Sequence, residues 1–160
     1  MLTPAREGSM LAMLWQRPGQ ALRRVRLPIP VCGVDEVLLR VQACGVCRTD
    51  LHILEGDLAP HRLPLVPGHE IVGEVVQAGT HVDGIEVGQR VGVPWLGGTC
   101  GRCSYWRTAR ENLCDRPWFT GYDRDGGYAQ YALADACYRF AIPPRPATPT
   151  RMRRHCCAQA

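Results

Sequence analysis

The chain contains no lysine: all 19 of its basic residues are arginine, which points to a GC-rich coding sequence. It has no run approaching the roughly 20 apolar residues of a membrane span. Met1 to Met10 lacks the basic start and long apolar stretch of a secretory signal. A cytoplasmic setting without a membrane partner is therefore expected. Internal repeats are absent, and no G-x-G-x-x-G dinucleotide fingerprint occurs in the 160 residues. Charge excludes one more class. The net charge of +4 is matched by Arg145, Arg151, Arg153 and Arg154, in a stretch with no acid, so residues 1–140 are neutral. Nothing there predicts a nucleic-acid surface.

What is present suits one ordinary domain: 160 residues, 46% hydrophobic and 21% charged, enough for a real core. Short strands are predicted over Met10–Trp15, Ala21–Leu27, Val37–Ala43, Ile71–Val76 (interrupted at Gly73), Val87–Val93, Tyr128–Leu133 and Cys137–Ile142. Thr49 or Asp50 opens a short helix toward Leu54 and Gly56. Residues 97–117 form a lobe with little periodicity. Many short strands punctuated by glycine predict a mainly β, barrel-like domain with short helices over residues 1–142. From Pro143 the chain turns Pro- and Arg-rich, and 143–160 reads as a tail outside that domain.

Nine cysteines are many, and five fall in two tight groups, Cys44/Cys47 and Cys100/Cys103/Cys114. Without a signal peptide such grouping favours metal or redox chemistry over structural disulfides. Cys32 and Cys137 read as small core residues. Cys47 and His69-Glu70 form the first candidate site. Catalytic zinc takes three ligands from Cys, His and carboxylates and keeps one position open. Asp50 can orient His69 through its far nitrogen. The plain alternative for His69 is a loop histidine after Gly68.

Gly45-Val46-Cys47-Arg48-Thr49-Asp50-Leu51-His52, Pro67-Gly68-His69-Glu70-Ile71-Val72-Gly73-Glu74-Val75 and Val87-Gly88-Gln89-Arg90-Val91-Gly92 follow one another in a specific order. Over roughly residues 10–142 this resembles the zinc-containing alcohol dehydrogenases of the medium-chain dehydrogenase/reductase superfamily. The resemblance implies a GroES-like barrel, normally followed by a Rossmann domain binding NAD or NADP, which these residues do not encode. It implies Cys47 and His69 as catalytic zinc ligands with Glu70 adjacent, and Thr49 as the hydroxyl that bonds the substrate alcohol. It further implies His52 as the imidazole passing the proton to solvent, Arg48 against the cofactor pyrophosphate, and Trp95 in the substrate pocket. Plain core packing is the alternative for Trp95.

The resemblance also implies a structural zinc lobe with four cysteines spaced C-x2-C-x2-C-x7-C. Here Cys100, Cys103 and Cys114 are present, and Trp106 stands in the third place, so an incomplete site is expected. The family's third catalytic ligand and its nucleotide fingerprint lie past the barrel. A truncated chain with little or no activity is therefore expected. Full-length members are expected to be homo-oligomers acting on a small alcohol or aldehyde. Under GC-rich codons, reading Arg145 to Ala160 two nucleotides out of phase can give PRDADAHAPPLLRAG, similar to the family's continuation. A frameshift near Pro144 is the expectation, and the nucleotide sequence tests it; the alternative is a disordered basic tail. Two other functions stand beside the enzyme: a non-enzymatic zinc-binding barrel remnant, and a thiol–disulfide oxidoreductase using Cys44-Gly45-Val46-Cys47.

Overall fold

The computed structural model describes residues 8–143. The expected tail of 143–160 thus lies, but for Pro143, outside the described residues, as does most of the loose start. Among the described residues nine strands carry the fold: β1 (Ser9–Leu14), β2 (Arg23–Pro28), β3 (Glu36–Gly45), β4 (Glu70–Ala78), β5 (Arg90–Val93), β6 (Leu96–Gly98), β7 (Trp118–Phe119), β8 (Tyr131–Asp135) and β9 (Phe140–Ala141). Two short helices, α1 (Arg48–Glu55) and α2 (Ser104–Arg107), complete it with two 3-10 turns. The mainly β expectation holds. No described helix is long and apolar enough to cross a membrane.

The central sheet is antiparallel in the order β8-β3-β4-β5-β9, with β1-β2 and β6-β7 as separate hairpin-like pairs. Its period-2 pattern is clearest in β4, where Ile71, Gly73, Val75 and Gln77 face inward. Val37, Leu39, Ile71, Val75, Val91, Val93, Ala132 and Ala134 make one core. Trp15, Ile53, Leu65 and Tyr122 make a second, which seats α1 and the chain before His69. Fully burying an aliphatic side chain of this size stabilises by about 1.5–3 kcal/mol.

The sheet corrects several sequence boundaries. Gly73 does not interrupt β4, because it sits in register with Val41 and its missing side chain lets Arg40 of β3 approach. The irregularities fall elsewhere: pairing skips Val76 on β4 and Gln42 on β3, and such bulges bend a sheet. Val87 is 70% exposed in a turn, so β5 begins only at Arg90. Tyr128 to Gln130 pair in isolated bonds with Met13, Leu11 and Val41, and regular β8 starts at Tyr131. Of the expected strand Cys137–Ile142 only Phe140–Ala141 is strand, as β9; its start is a 3-10 turn, Ala136–Tyr138, whose Cys137 N–H is capped by Asp135. That turn leaves Cys137 exposed, so it is not a core residue; Cys32 is half-buried.

Candidate metal centre

β3 delivers the chain to Cys47, which caps α1 with an extended backbone (φ −108°, ψ 159°). Gly56 ends the helix in the left-handed region at φ 89°, as a C-terminal glycine does. His69 arrives from a different segment, one residue before β4. The two meet: a ligand atom each from Cys47, His69 and Glu70 all lie within 4.8 Å of one another. His69 is buried, Cys47 half-buried and Glu70 exposed.

Asp50 is the hub that makes this meeting possible. It is 1% exposed. Its Oδ2 accepts the Cys47 N–H at 2.9 Å and the Tyr128 hydroxyl at 3.0 Å. Its Oδ1 accepts the Gly68 N–H at 3.2 Å and faces His69 Nδ1 at 3.4 Å. That last distance exceeds a well-formed hydrogen bond, and Nδ1 has no other partner among the described residues; the attraction is chiefly one of charge. Burial pushes the Asp50 carboxyl up, but His69 and the Cys47 N–H outweigh it and the net shift is downward. Burial pushes His69 down, and Asp50 and Cys47 more than reverse it. The Thr49 backbone N–H lowers the Cys47 thiol, with further help from the Thr49 hydroxyl and His69.

The remaining expected residues are spread around this pair. Cys47 Sγ lies 3.7 Å from Thr49 Oγ1. The His52 ring is 39% exposed, with Nδ1 2.8 Å from Asp57 Oδ2. Arg48 is exposed at the first position of α1. Trp95 meets His69 edge-on with ring centroids 4.9 Å apart, and stacks on Phe119 at 4.7 Å. It therefore borders the site and also packs on the second core. Cys44 is separate: burial pushes its thiol up to about 12. A thiol so protonated is the opposite of a reactive CxxC cysteine, and both Cys44 and Cys47 are free.

In the lobe between β6 and β7, sulfurs of Cys100, Cys103 and Cys114 converge within 4.8 Å of one another. The Cys100 and Arg116 N–H groups donate to Cys114 Sγ at 3.3 and 3.4 Å, and the Trp106 N–H donates to Cys103 Sγ at 3.4 Å. Backbone N–H groups of Arg102 and Cys103 lower the Cys100 thiol to about 7. Trp106 itself is 46% exposed.

Residues 33–144 match the family model described as the alcohol dehydrogenase GroES-like domain. The chain belongs to the zinc-containing alcohol dehydrogenases. An alcohol dehydrogenase from Geobacillus stearothermophilus is 52% identical over 126 residues, covering 78% of this chain and 37% of the relative. A cobalt- and zinc-bound thermostable alcohol dehydrogenase from Pyrobaculum aerophilum superposes with TM-score 0.80 at 31% identity, covering 86% of this chain and 42% of that one. An alcohol dehydrogenase from E. coli CFT073, complexed with cofactor NADH, gives TM-score 0.77 at 32% identity, covering 84% and 39%. The chain spans less than half the length of these relatives.

The GroES-like alcohol dehydrogenase domain here fits zinc on its own chemistry. A thiol held low, an imidazole with its far nitrogen turned to a buried carboxylate, and a nearby carboxylate are a borderline-soft N/S/O donor set. Sequence reasoning missed Tyr128, which reaches Asp50 from 78 residues away. Its signal was the Gly126-Gly127 pair, whose lack of side chains brings Tyr128 against the loop of Gly68. Phe119 and Tyr122, both packed around Trp95, were missed as well. Tyr128→Phe is expected to cost about 1 kcal/mol of stability and to weaken zinc binding about 10-fold. Urea unfolding and competitive chelator titration read the two effects, and wild-type zinc affinity would remove Tyr128 from the support of the site.

Proposed function

We propose that this domain is the catalytic half of a zinc-dependent alcohol dehydrogenase, oxidising a small primary or secondary alcohol to its carbonyl with NAD or NADP. The convergence of Cys47, His69 and Glu70 above a buried Asp50 is the observation that carries this reading. Cys47 and His69 would hold the ion, with Glu70 adjacent. Bound there, zinc supplies Lewis acidity, which makes an alcohol hydroxyl acidic near neutral pH.

The chain's own residues then have distinct tasks. Thr49, whose hydroxyl neighbours Cys47, takes the hydrogen bond of the substrate hydroxyl and is the first stop for its proton. His52 carries that proton outward: its ring is part-exposed, and Asp57 fixes Nδ1 so that Nε2 faces exchange. Arg48 offers an exposed guanidinium to the cofactor pyrophosphate. Trp95, with Phe119 and Tyr122 behind it, presents an apolar wall beside His69 and excludes water from the substrate carbon. A bound nicotinamide would supply the hydride acceptor, and Thr49 and His52 would carry the proton outward.

Zinc analysis of the purified chain tests the ligand assignment. Cys47→Ser and His69→Ala should each abolish zinc at this centre, and full retention in both would refute it. A protein of these 160 residues alone is expected to reduce NAD(P) with alcohol feebly or not at all, since they contain no dinucleotide fingerprint. Robust turnover would overturn that expectation. Zinc binding without turnover, even when the remainder of a relative is supplied in trans, would favour a non-enzymatic metal-binding domain.

A further inference from the structure

The lobe between β6 and β7 departs from the four-cysteine pattern, and its donor set does not fit a closed structural zinc. Three sulfurs converge, but the residue in the remaining place is Trp106. Indole is a hydrogen-bond donor only and has no lone pair to give a metal. We propose that Cys100, Cys103 and Cys114 form a three-thiolate site that takes a soft divalent ion and completes its coordination with a thiolate from solution.

Three observations support it. A tetrahedral ion bound to sulfur at about 2.3 Å spans sulfurs about 3.8 Å apart, inside the 4.8 Å convergence of this cluster. Backbone N–H groups already point at the sulfurs of Cys103 and Cys114, so donors that would hydrogen-bond metal-held sulfur are in place in the fold. Each thiol releases its proton to solvent as its metal–sulfur bond forms. Three thiolates on a divalent ion leave a charge of −1, which would repel an anionic fourth donor. The lobe answers this with Arg102, Arg107, Arg110 and Arg116, all exposed, against only Glu111 and Asp115. Sulfur is preferred over water as the added donor because the ion is already in a soft environment. In a closed site all four donors belong to the fold; here one comes and goes, so the ion is exchangeable.

The full chain loaded with Co2+ and titrated with 2-mercaptoethanol provides the test, read in the visible and sulfur-to-cobalt charge-transfer bands. Charge-transfer absorption should rise by about a quarter in wild type, where Cys47 adds a sulfur ligand at the proposed catalytic centre and four become five. Cys47→Ser should show the same absolute rise, about a third of its own starting value as three become four, which separates this site from the proposed catalytic centre. Trp106→Cys should show the higher absorption before any thiol is added and no rise afterwards. It should also hold more zinc and melt at a higher temperature than wild type. An unchanged wild-type spectrum on adding thiol would overturn the proposal. So would a rise that vanishes in Cys47→Ser, or one that persists in Cys103→Ser.

Discussion

Asp50→Ala is expected to lower stability by about 3–5 kcal/mol, the scale of breaking a buried ion pair by removing one partner. For a domain of this size that is a large part of the total. The reason is that Asp50 has no spare partner to lose. Its two oxygens serve the Cys47 N–H, the Gly68 N–H, the Tyr128 hydroxyl and the His69 ring, and it is 1% exposed. Alanine would strand all four in a place water does not reach. Asp50→Asn keeps the shape and one acceptor oxygen but loses the charge that His69 answers, so about 1–2 kcal/mol is expected. Zinc affinity should fall in both variants, because Asp50 holds the loop of Cys47 to the loop of His69. Urea unfolding of the metal-free and zinc-loaded chains distinguishes these effects. An alanine variant within 1 kcal/mol of wild type would show that the hub is not what joins the two segments.

Part of this site is legible in the sequence and part is not. Cys47, Thr49, Asp50 and His52 lie within six residues, and a strand followed by a capped helix places them together through local geometry alone. Gly56 at φ 89° marks the end of that helix as plainly in the sequence as in the structure. His69 and Glu70 were legible because a Pro-Gly pair announces them just ahead of an alternating strand. Tyr128 was not, since its link to Asp50 depends on how β8 and the turn before it fold over the site. The same is true of Phe119 and Tyr122 behind Trp95: side-chain stacking leaves no period in a sequence. Cys137 failed for another reason. Its apolar neighbours suggested a strand, but Asp135 accepts its N–H at 2.8 Å and turns the chain outward. A local polar bond overrode the hydrophobic pattern. At Trp106 the sequence is informative through what it replaces, and the three remaining sulfurs lie within 4.8 Å of one another with no fourth His, Cys or carboxylate in their group among the described residues.

Gly126→Ala should be nearly as damaging as the loss of Asp50, though it removes nothing. A Cβ at Gly126 would lie 2.0 Å from the Gly68 carbonyl oxygen and 2.7 Å from Gly121 Cα, all backbone. No side chain can rotate away to relieve it. The Gly126 N–H is committed to the Val66 carbonyl at 2.6 Å, and the next two N–H groups bond Gly68 and Pro67. The segment thus clamps the loop that carries His69, and making room means moving that loop. Overpacking of this kind typically costs about 1–3 kcal/mol, and a clash between two backbones belongs at or above the upper end. The displaced loop takes His69 with it, so zinc binding should weaken about 10- to 100-fold. Gly84→Ala is the fitting comparison: φ is +69° but nothing lies within 4 Å, leaving only backbone strain of about 1 kcal/mol. Its zinc affinity should be that of the wild type. If the two alanine variants matched each other in both melting temperature and zinc affinity, close backbone packing would not be what places His69.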